Sequence, residues 1–192
     1  MLKSLLNRIR RWLAVDSGAL CRSEIIRAIE NNTISITPYN QTQVKANSYD
    51  VRLAPILYRI IDKELDFKKQ YQYEEVIIPE DGYWLEPGEL YLGCTWECTH
   101  TPFNVPEYNG RSTTGRYFLF SHVTAGFGDI GFNGHWTLEI MVPRRLKIYP
   151  MMRIGQIGFQ SVKGDITQQY TQCGGHYNQG ECRPKAGLPN NI

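Results

Sequence analysis

The sequence predicts a mainly β domain, a sandwich or jelly-roll-like barrel preceded by one or two short N-terminal helices. Three observations carry that expectation. Roughly ten short runs of alternating apolar character follow one another with turn residues between them. Helical periodicity is confined to the first 32 residues. The chain also holds 17 glycines and 10 prolines, residues that suit turns between strands better than a helical bundle. At 192 residues it can bury one sizeable core.

Leu2, Leu5, Leu6, Ile9 and Leu13 form one helical stripe, and Lys3, Arg8, Arg10 and Arg11 supply charge. Residues 1–18 read as an amphipathic extension that docks on the protein's own surface or on a neighbouring subunit. A single short helix of this kind holds a membrane surface only weakly. Ser23 caps a second expected helix, with Ile25, Ile26 and Ile29 as its buried stripe and Asn31-Asn32 as its end. Ile34 to Pro38 alternates as a strand. So does Asn47 to Pro55, with Tyr49, Val51 and Leu53 on one face and Asp50 and Arg52 on the other.

The runs LYRIID and VIIP flank a charged stretch and predict a hairpin with a polar loop. Trp84 to Glu89 reads as a turn leading into the strand LYLGCTWECT, where Leu90, Leu92, Cys94, Trp96 and Cys98 share one face. EIMVP, LKIYP and RIGQIGF add three strands, which closes the β domain at residues 19–163. The tail, residues 164–192, is rich in Gln, Gly and Asn. It has too little apolar surface to fold alone, so it is either floppy or ordered by something it covers.

Several function classes fall away. A net charge of +2 does not support nucleic-acid binding. No apolar run approaches the ~18 residues of a membrane span, so no stable insertion is expected. The first 15 residues lack the apolar core of a secretory signal, and five cysteines are an odd number. Reduced thiols in a cytoplasmic protein are expected. Cys94 and Cys98 would lie roughly 13 Å apart along a strand, too far to share a zinc ion. None of His100, His122, His135 and His176 has a glutamate two residues on, so the zinc deaminase signature is missing.

Two glycine patterns mislead. Gly110 and Gly115 have P-loop spacing, but Arg116-Tyr117 follow instead of Lys and a hydroxyl residue. Gly126, Gly128 and Gly131 match the dinucleotide fingerprint literally, yet sit between strands with no helix behind them. Their expected role is a tight turn that brings backbone amides close to a ligand.

What remains is an anion site. Arg111 and Arg116 flank Ser112, Thr113, Thr114 and Gly115, a set suited to phosphate oxygens. The strand HWTLEIMV places His135, Thr137 and Glu139 opposite the apolar Trp136, Leu138 and Ile140. Glu139 can then serve as a general base on water, and Asp129 can accept a hydrogen bond from a sugar hydroxyl.

The run G-R-S-T-x-x-R from Gly110, followed by H-V-T-A-G-F-x-D-x-G-F-x-G-x-x-T-L-E, closely resembles the dCTP deaminases, relatives of the trimeric dUTPases. LCRSEIIRAIENNTISITP, NSYDVRLAP, LEPGELYL and MRIGQIGF extend the likeness to about residues 20–182. The resemblance implies a dUTPase-like distorted β-barrel and a homotrimer with active sites between neighbours. It implies zinc-free hydrolysis of dCTP to dUTP and ammonia, with Mg2+ carried by the triphosphate and dTTP as a candidate inhibitor. Glu139 matches the general base. Arg111, Ser112, Thr113 and Arg116 match the segment that organises the phosphates, and Ser112 and Arg116 join Glu139 as candidate catalytic residues. Thr114, Gly115 and Ala125 fall inside the matched motifs. Asp129 matches the residue at the 3′-hydroxyl, Phe132 the ring beneath the deoxyribose, and Thr137-Leu138-Glu139 the base pocket. Tyr170 and Gln179 fit a segment that folds over the triphosphate, with His176 where a lysine is common. Gln156 leans toward a bifunctional alternative that yields dUMP and pyrophosphate. A non-catalytic nucleotide-binding regulator is the further alternative.

Overall fold

The computed structural model describes residues 18–122, 124–178 and 180–189. The leucine stripe of residues 2–14 and Gln179 lie outside them. Ten strands and two α-helices occur among the described residues. Helix α1 (Arg22–Glu30) buries Ile25. Its N-cap is Cys21 and not Ser23, because the chain is still extended at Cys21 (φ −81°, ψ 169°) and turns at Arg22. Ser23 therefore sits inside the first turn, with its hydroxyl 3.1 Å from the Cys21 thiol.

Strands β1 (Ser35–Thr37), β2 (Tyr49–Arg52), β3 (Ile56–Ile60), β4 (Tyr73–Ile77) and β5 (Tyr83–Leu85) follow. They are succeeded by β6 (Tyr91–His100), β7 (Asn104–Gly110), β8 (Asn133–Ile140), β9 (Leu146–Ile148) and β10 (Arg153–Ser161), with α2 (Ser112–Arg116) after β7. The expected hairpin forms, Ile56 pairing with Ile77 and Ile60 with Tyr73. Trp84 and Leu85, expected in a turn, belong to β5, which pairs with β9; the turn begins only at Glu86. EIMV likewise continues β8, with Met141 bridging to Phe120.

Every named pairing is antiparallel. β6 is the spine of a five-stranded sheet. It pairs with β3 at one end and β1 at the other, and β8 runs along its far side. A second sheet has the order β2-β10-β7. Tyr49, Val51, Leu53, Tyr108, Ile157 and Phe159 from this side meet Tyr91, Leu138 and Ile140 from the other in one core.

One irregularity in β6 rearranges the side chains around it. Cys94 opposes Thr137 and Cys98 opposes His135, so a four-residue step on β6 faces a two-residue step on β8. Such a bulge displaces the intervening residues from the ladder. Thr95 compensates: its hydroxyl accepts from the Trp136 amide at 2.9 Å and lies 2.8 Å from the Glu97 carbonyl. The single face expected for Leu90, Leu92, Cys94, Trp96 and Cys98 is thereby split. Leu92, Cys94 and Trp96 join a second cluster with Ala54, Ile56 and Tyr58, while Cys98 turns to Asn133.

The bulge also carries Glu97 into the interior with no solvent exposure. A buried carboxylate needs charge and hydrogen bonds to offset lost hydration. Arg52 supplies both, from Nε at 2.6 Å and its backbone amide at 2.8 Å, and Gln43 adds Nε2 at 3.0 Å.

Candidate active site

Strand β8 alternates as its sequence requires. Gly134, Trp136, Leu138 and Ile140 are buried, while Asn133, His135, Thr137 and Glu139 are half-buried on the other face. That second face floors a cavity of ≈ 380 Å³. Of the residues that the resemblance assigned to the site or its motifs, Ala125, Asp129, Phe132, Thr137, Glu139 and Tyr170 line it, and His135 and Gly128 join them. Leu138 does not, because its side chain is on the core face with no exposure. An adjoining hollow of ≈ 240 Å³ is walled by Ile60, Leu65, Leu90, Ile140 and Met141 and shares Tyr71, Leu92 and Glu139 with the first. Glu139 thus stands where a partly polar cavity meets an apolar one.

The glycine turn is built differently from the expectation. The amide of Gly128 donates to Pro106 O and that of Gly131 to Thr101 O, both at 2.9 Å, so both point into the protein. Glycine is needed for close packing instead. A Cβ on Gly128 would come 2.4 Å from the Trp136 ring and one on Gly126 2.6 Å from the Tyr108 carbonyl. At Gly131 the φ of +83° adds a conformational requirement. The turn holds Asp129 exposed at the cavity mouth.

The rings of Phe132 and Tyr170 meet edge to face at 5.6 Å, and Phe132 leans on Trp136 at 5.1 Å. This aromatic wall exists because the tail is ordered. The Tyr170 amide donates to Ile130 O at 2.8 Å, and Gln169 Nε2 to Pro102 O at 3.1 Å. Further on, the Asn133 amide donates to Asn178 Oδ1 at 2.5 Å and the Gly187 amide to Tyr71 OH at 2.8 Å. Arg183 pairs with Glu75. A polar segment that cannot form its own core is held by hydrogen bonds to the strand and loops it covers.

Sequence reasoning missed Tyr71, Leu92, Tyr177 and Lys185, which also line the cavity. Only the fold-back of the tail brings Lys185 to β8, so nothing in its local sequence marks it. Burial pushes the Lys185 ammonium down from its ordinary value. His176 is exposed and outside the lining, whereas its neighbour Tyr177 takes part.

The expected anion segment lies elsewhere on the chain. Ser112, Thr113, Gly115 and Arg116 are exposed around α2 and do not line the Glu139 cavity. Thr114 is buried, its hydroxyl accepting from the Arg111 amide at 3.2 Å and lying 3.1 Å from Ile154 O. Arg111 Nε contacts Asp50 Oδ1 at 3.1 Å, and Arg153 reaches the other oxygen at 3.3 Å. Asp50 is 2% exposed, so this pair fixes the start of α2. Gln156 braces the same junction, accepting from the Ser48 hydroxyl at 2.7 Å and donating to Gly110 O at 3.1 Å.

A third feature borders the cavity. The bulge leaves the Thr95 carbonyl free of the ladder, and both His135 Nδ1, at 2.9 Å, and the Cys182 thiol, at 3.6 Å, reach it. Cys94 beside Cys182 pushes the Cys182 thiol down, and His135 adds to the effect against burial. The same contact and burial push Cys94 up. His135 is raised, first by Cys182 and then by the Thr95 carbonyl. Among the described residues no group of three or more His, Cys, Asp or Glu is arranged to hold a metal ion.

A family model described as dCTP deaminase-like matches residues 19–162. The chain belongs to this dCTP deaminase-like family. It is 46% identical over 169 residues to a "dCTP deaminase, dUMP-forming" of Clostridium botulinum, covering 88% of this chain and 92% of the relative. A protein of the same name from Hathewaya histolytica is 46% identical over 141 residues, covering 73% and 81%. One from Leptospira biflexa is 44% identical over 149 residues, covering 78% and 85%. Among solved structures, 2′-deoxycytidine 5′-triphosphate deaminase from Agrobacterium tumefaciens superposes with a TM-score of 0.62 at 22% identity. It covers 77% of this chain and 49% of that longer one, a likeness of fold. The relatives' name specifies dUMP, which is at odds with the dUTP product expected first and favours the bifunctional alternative. No helix among the described residues is long and apolar enough to cross a membrane.

Proposed function

We propose that this dCTP deaminase-like protein is bifunctional, converting dCTP to dUMP with release of ammonia and diphosphate. The observation that carries the reading is the position of Glu139 at the junction of the two cavities, on a strand whose opposite face is core. The dUMP-forming name of relatives at 46% identity supports the choice of product.

The carboxylate of Glu139 takes a proton from water as its oxygen bonds to C4 of the cytosine ring, then returns a proton to the amino group. The C4–N bond breaks and ammonia leaves, as general acid–base catalysis requires. Thr137 lies beside the base, Phe132 and Tyr170 flank the sugar, and Asp129 at the mouth accepts from the 3′-hydroxyl. Hydrolysis at the α-phosphorus then expels diphosphate. Magnesium carried by the phosphates would neutralise their charge. The residues present suit such a substrate-borne ion, since Asp129 and Glu139 are the only carboxylates among the described residues that line the main cavity.

Ser112, Thr113 and Arg116 reach no nucleotide in the cavity of their own subunit. Their exposure at α2 supports a homotrimer in which each subunit presents this segment to its neighbour's triphosphate, with the tail as a lid. The protein works in the cytoplasm, with dTTP as a candidate inhibitor.

Chromatography of the products from dCTP, and separately from dUTP, with magnesium tests the proposal. Equimolar ammonia, dUMP and pyrophosphate from dCTP are expected. Stoichiometric dUTP with no pyrophosphate would reduce the enzyme to a deaminase alone, and no ammonia at all would leave a nucleotide-binding regulator.

A further inference from the structure

The bulge in β6 gathers more chemistry than the proposed reaction uses. Cys182 of the tail is half-buried against the cluster that holds Cys94, and its sulfur, like His135, is directed at the Thr95 carbonyl. We propose that Cys182 is a site of oxidative modification, forming a disulfide with Cys94 on exposure to a hydroperoxide and clamping the tail onto the central sheet. Cys182 and His135 meet at the Thr95 carbonyl inside the bulge, one residue on from Cys94.

Cys182 is the attacking thiol. Cys94 and His135 both ease loss of its proton, and a thiolate is the form that reacts with peroxide. The Cys182 sulfur attacks the peroxide: an S–O bond forms, the O–O bond breaks, and water or an alcohol leaves. Cys94 then attacks the resulting sulfenic sulfur, forming S–S as S–O breaks and water departs. Two thiols lose two electrons to one hydroperoxide, and an external dithiol returns them. The other cysteines are engaged elsewhere. Cys98 donates to Asn133 Oδ1 at 3.7 Å, Cys173 to Gln168 Oε1 at 3.6 Å, and Cys21 contacts Ser23.

The clamp lies three residues before Lys185, whose amide is bonded to Thr137 on the cavity floor. A pinned tail closes the cavity to exchange. That consequence for turnover rests on reading the cavity as the nucleotide site; formation of the disulfide does not.

The full-length protein is treated with hydrogen peroxide, alkylated, and digested after glutamate under non-reducing conditions. Glu97 separates Cys94 from Cys98 and Glu181 separates Cys173 from Cys182, so each partner is identified by its own peptide. The expected result is a linked pair carrying Cys94 and Cys182, together with a fall in kcat/KM of at least about tenfold that a dithiol reverses. Cys182→Ser is expected to lose both the link and the sensitivity, while Cys98→Ser keeps both. A linked peptide with any other cysteine, or no link at all, overturns the proposal whatever the activity does. The link with unchanged dCTP turnover, in enzyme active before treatment, overturns the clamp. If Cys182→Ser fails to fold, Cys94→Ala takes its place with the same expectations.

Discussion

Lys185 donates its backbone amide to the hydroxyl of Thr137 at 3.0 Å, fastening the tail to β8 two residues from Glu139. The Lys185 ammonium turns back to Asn178 O at 3.2 Å, so the tail doubles back on itself beside the cavity. The cavity floor and the docking of the tail therefore share one strand.

Thr137→Val removes the acceptor for that amide. A typical hydrogen bond contributes about 1 kcal/mol, or about fivefold in a docking equilibrium. Trypsin should cut after Lys185 about fivefold faster in this variant than in the wild type. Unchanged cleavage would show that the tail is held by its other contacts.

Glu139→Gln keeps the size of the side chain and removes its capacity to take a proton. Ammonia release from dCTP should drop by about 100-fold or more, the usual share of a general base. Nucleotide binding, followed by calorimetry, should persist. Deamination at the wild-type rate would remove Glu139 from the mechanism.

Glu97→Ala leaves Arg52 and Gln43 facing a void in the core. Loss of one partner of a buried pair typically costs about 3–5 kcal/mol. Urea unfolding should show that loss at an unchanged slope, and a difference below about 1 kcal/mol would contradict the buried network.

Gly128→Ala drives a Cβ to within 2.4 Å of Trp136 and 2.9 Å of Pro106 O. Overpacking of this kind costs about 1–3 kcal/mol and would displace the Asp129 turn. Both a lower Tm and a raised KM are expected. A neutral substitution would be incompatible with the close approach seen here.

His135 has a raised folded pKa, caused first by Cys182, so its protonated form is favoured by folding. That stabilisation is fully present below the ordinary value of 6.5 and is lost as pH rises through the folded value. The stability gap between the wild type and His135→Asn, measured under reducing conditions, should be widest below pH 6.5 and shrink above it. A gap that widens with pH would reverse the assignment.

Much of the site was readable in the chain because period-two alternation fixes which residues of β8 share a face. Glu139, Thr137 and His135 follow from that alone, as do their buried neighbours. The hairpin of β3 and β4 was legible for the same reason. The placement of Trp84 was not, since its strand exists only through pairing with β9, more than fifty residues on. Nor was the bulge at Thr95, because alternation predicts a flat strand and only the register against β8 reveals the displaced residues.

By itself the sequence determined a mainly β chain and a carboxylate opposite a core face, because these depend on residue type and local period. Tertiary structure alone decided that Arg111 is held by Asp50, that the turn glycines serve packing, and that Cys182 and Lys185 come to rest beside β8. Those outcomes depend on which distant groups meet when the sheets close and the tail folds back, and no local pattern encodes that.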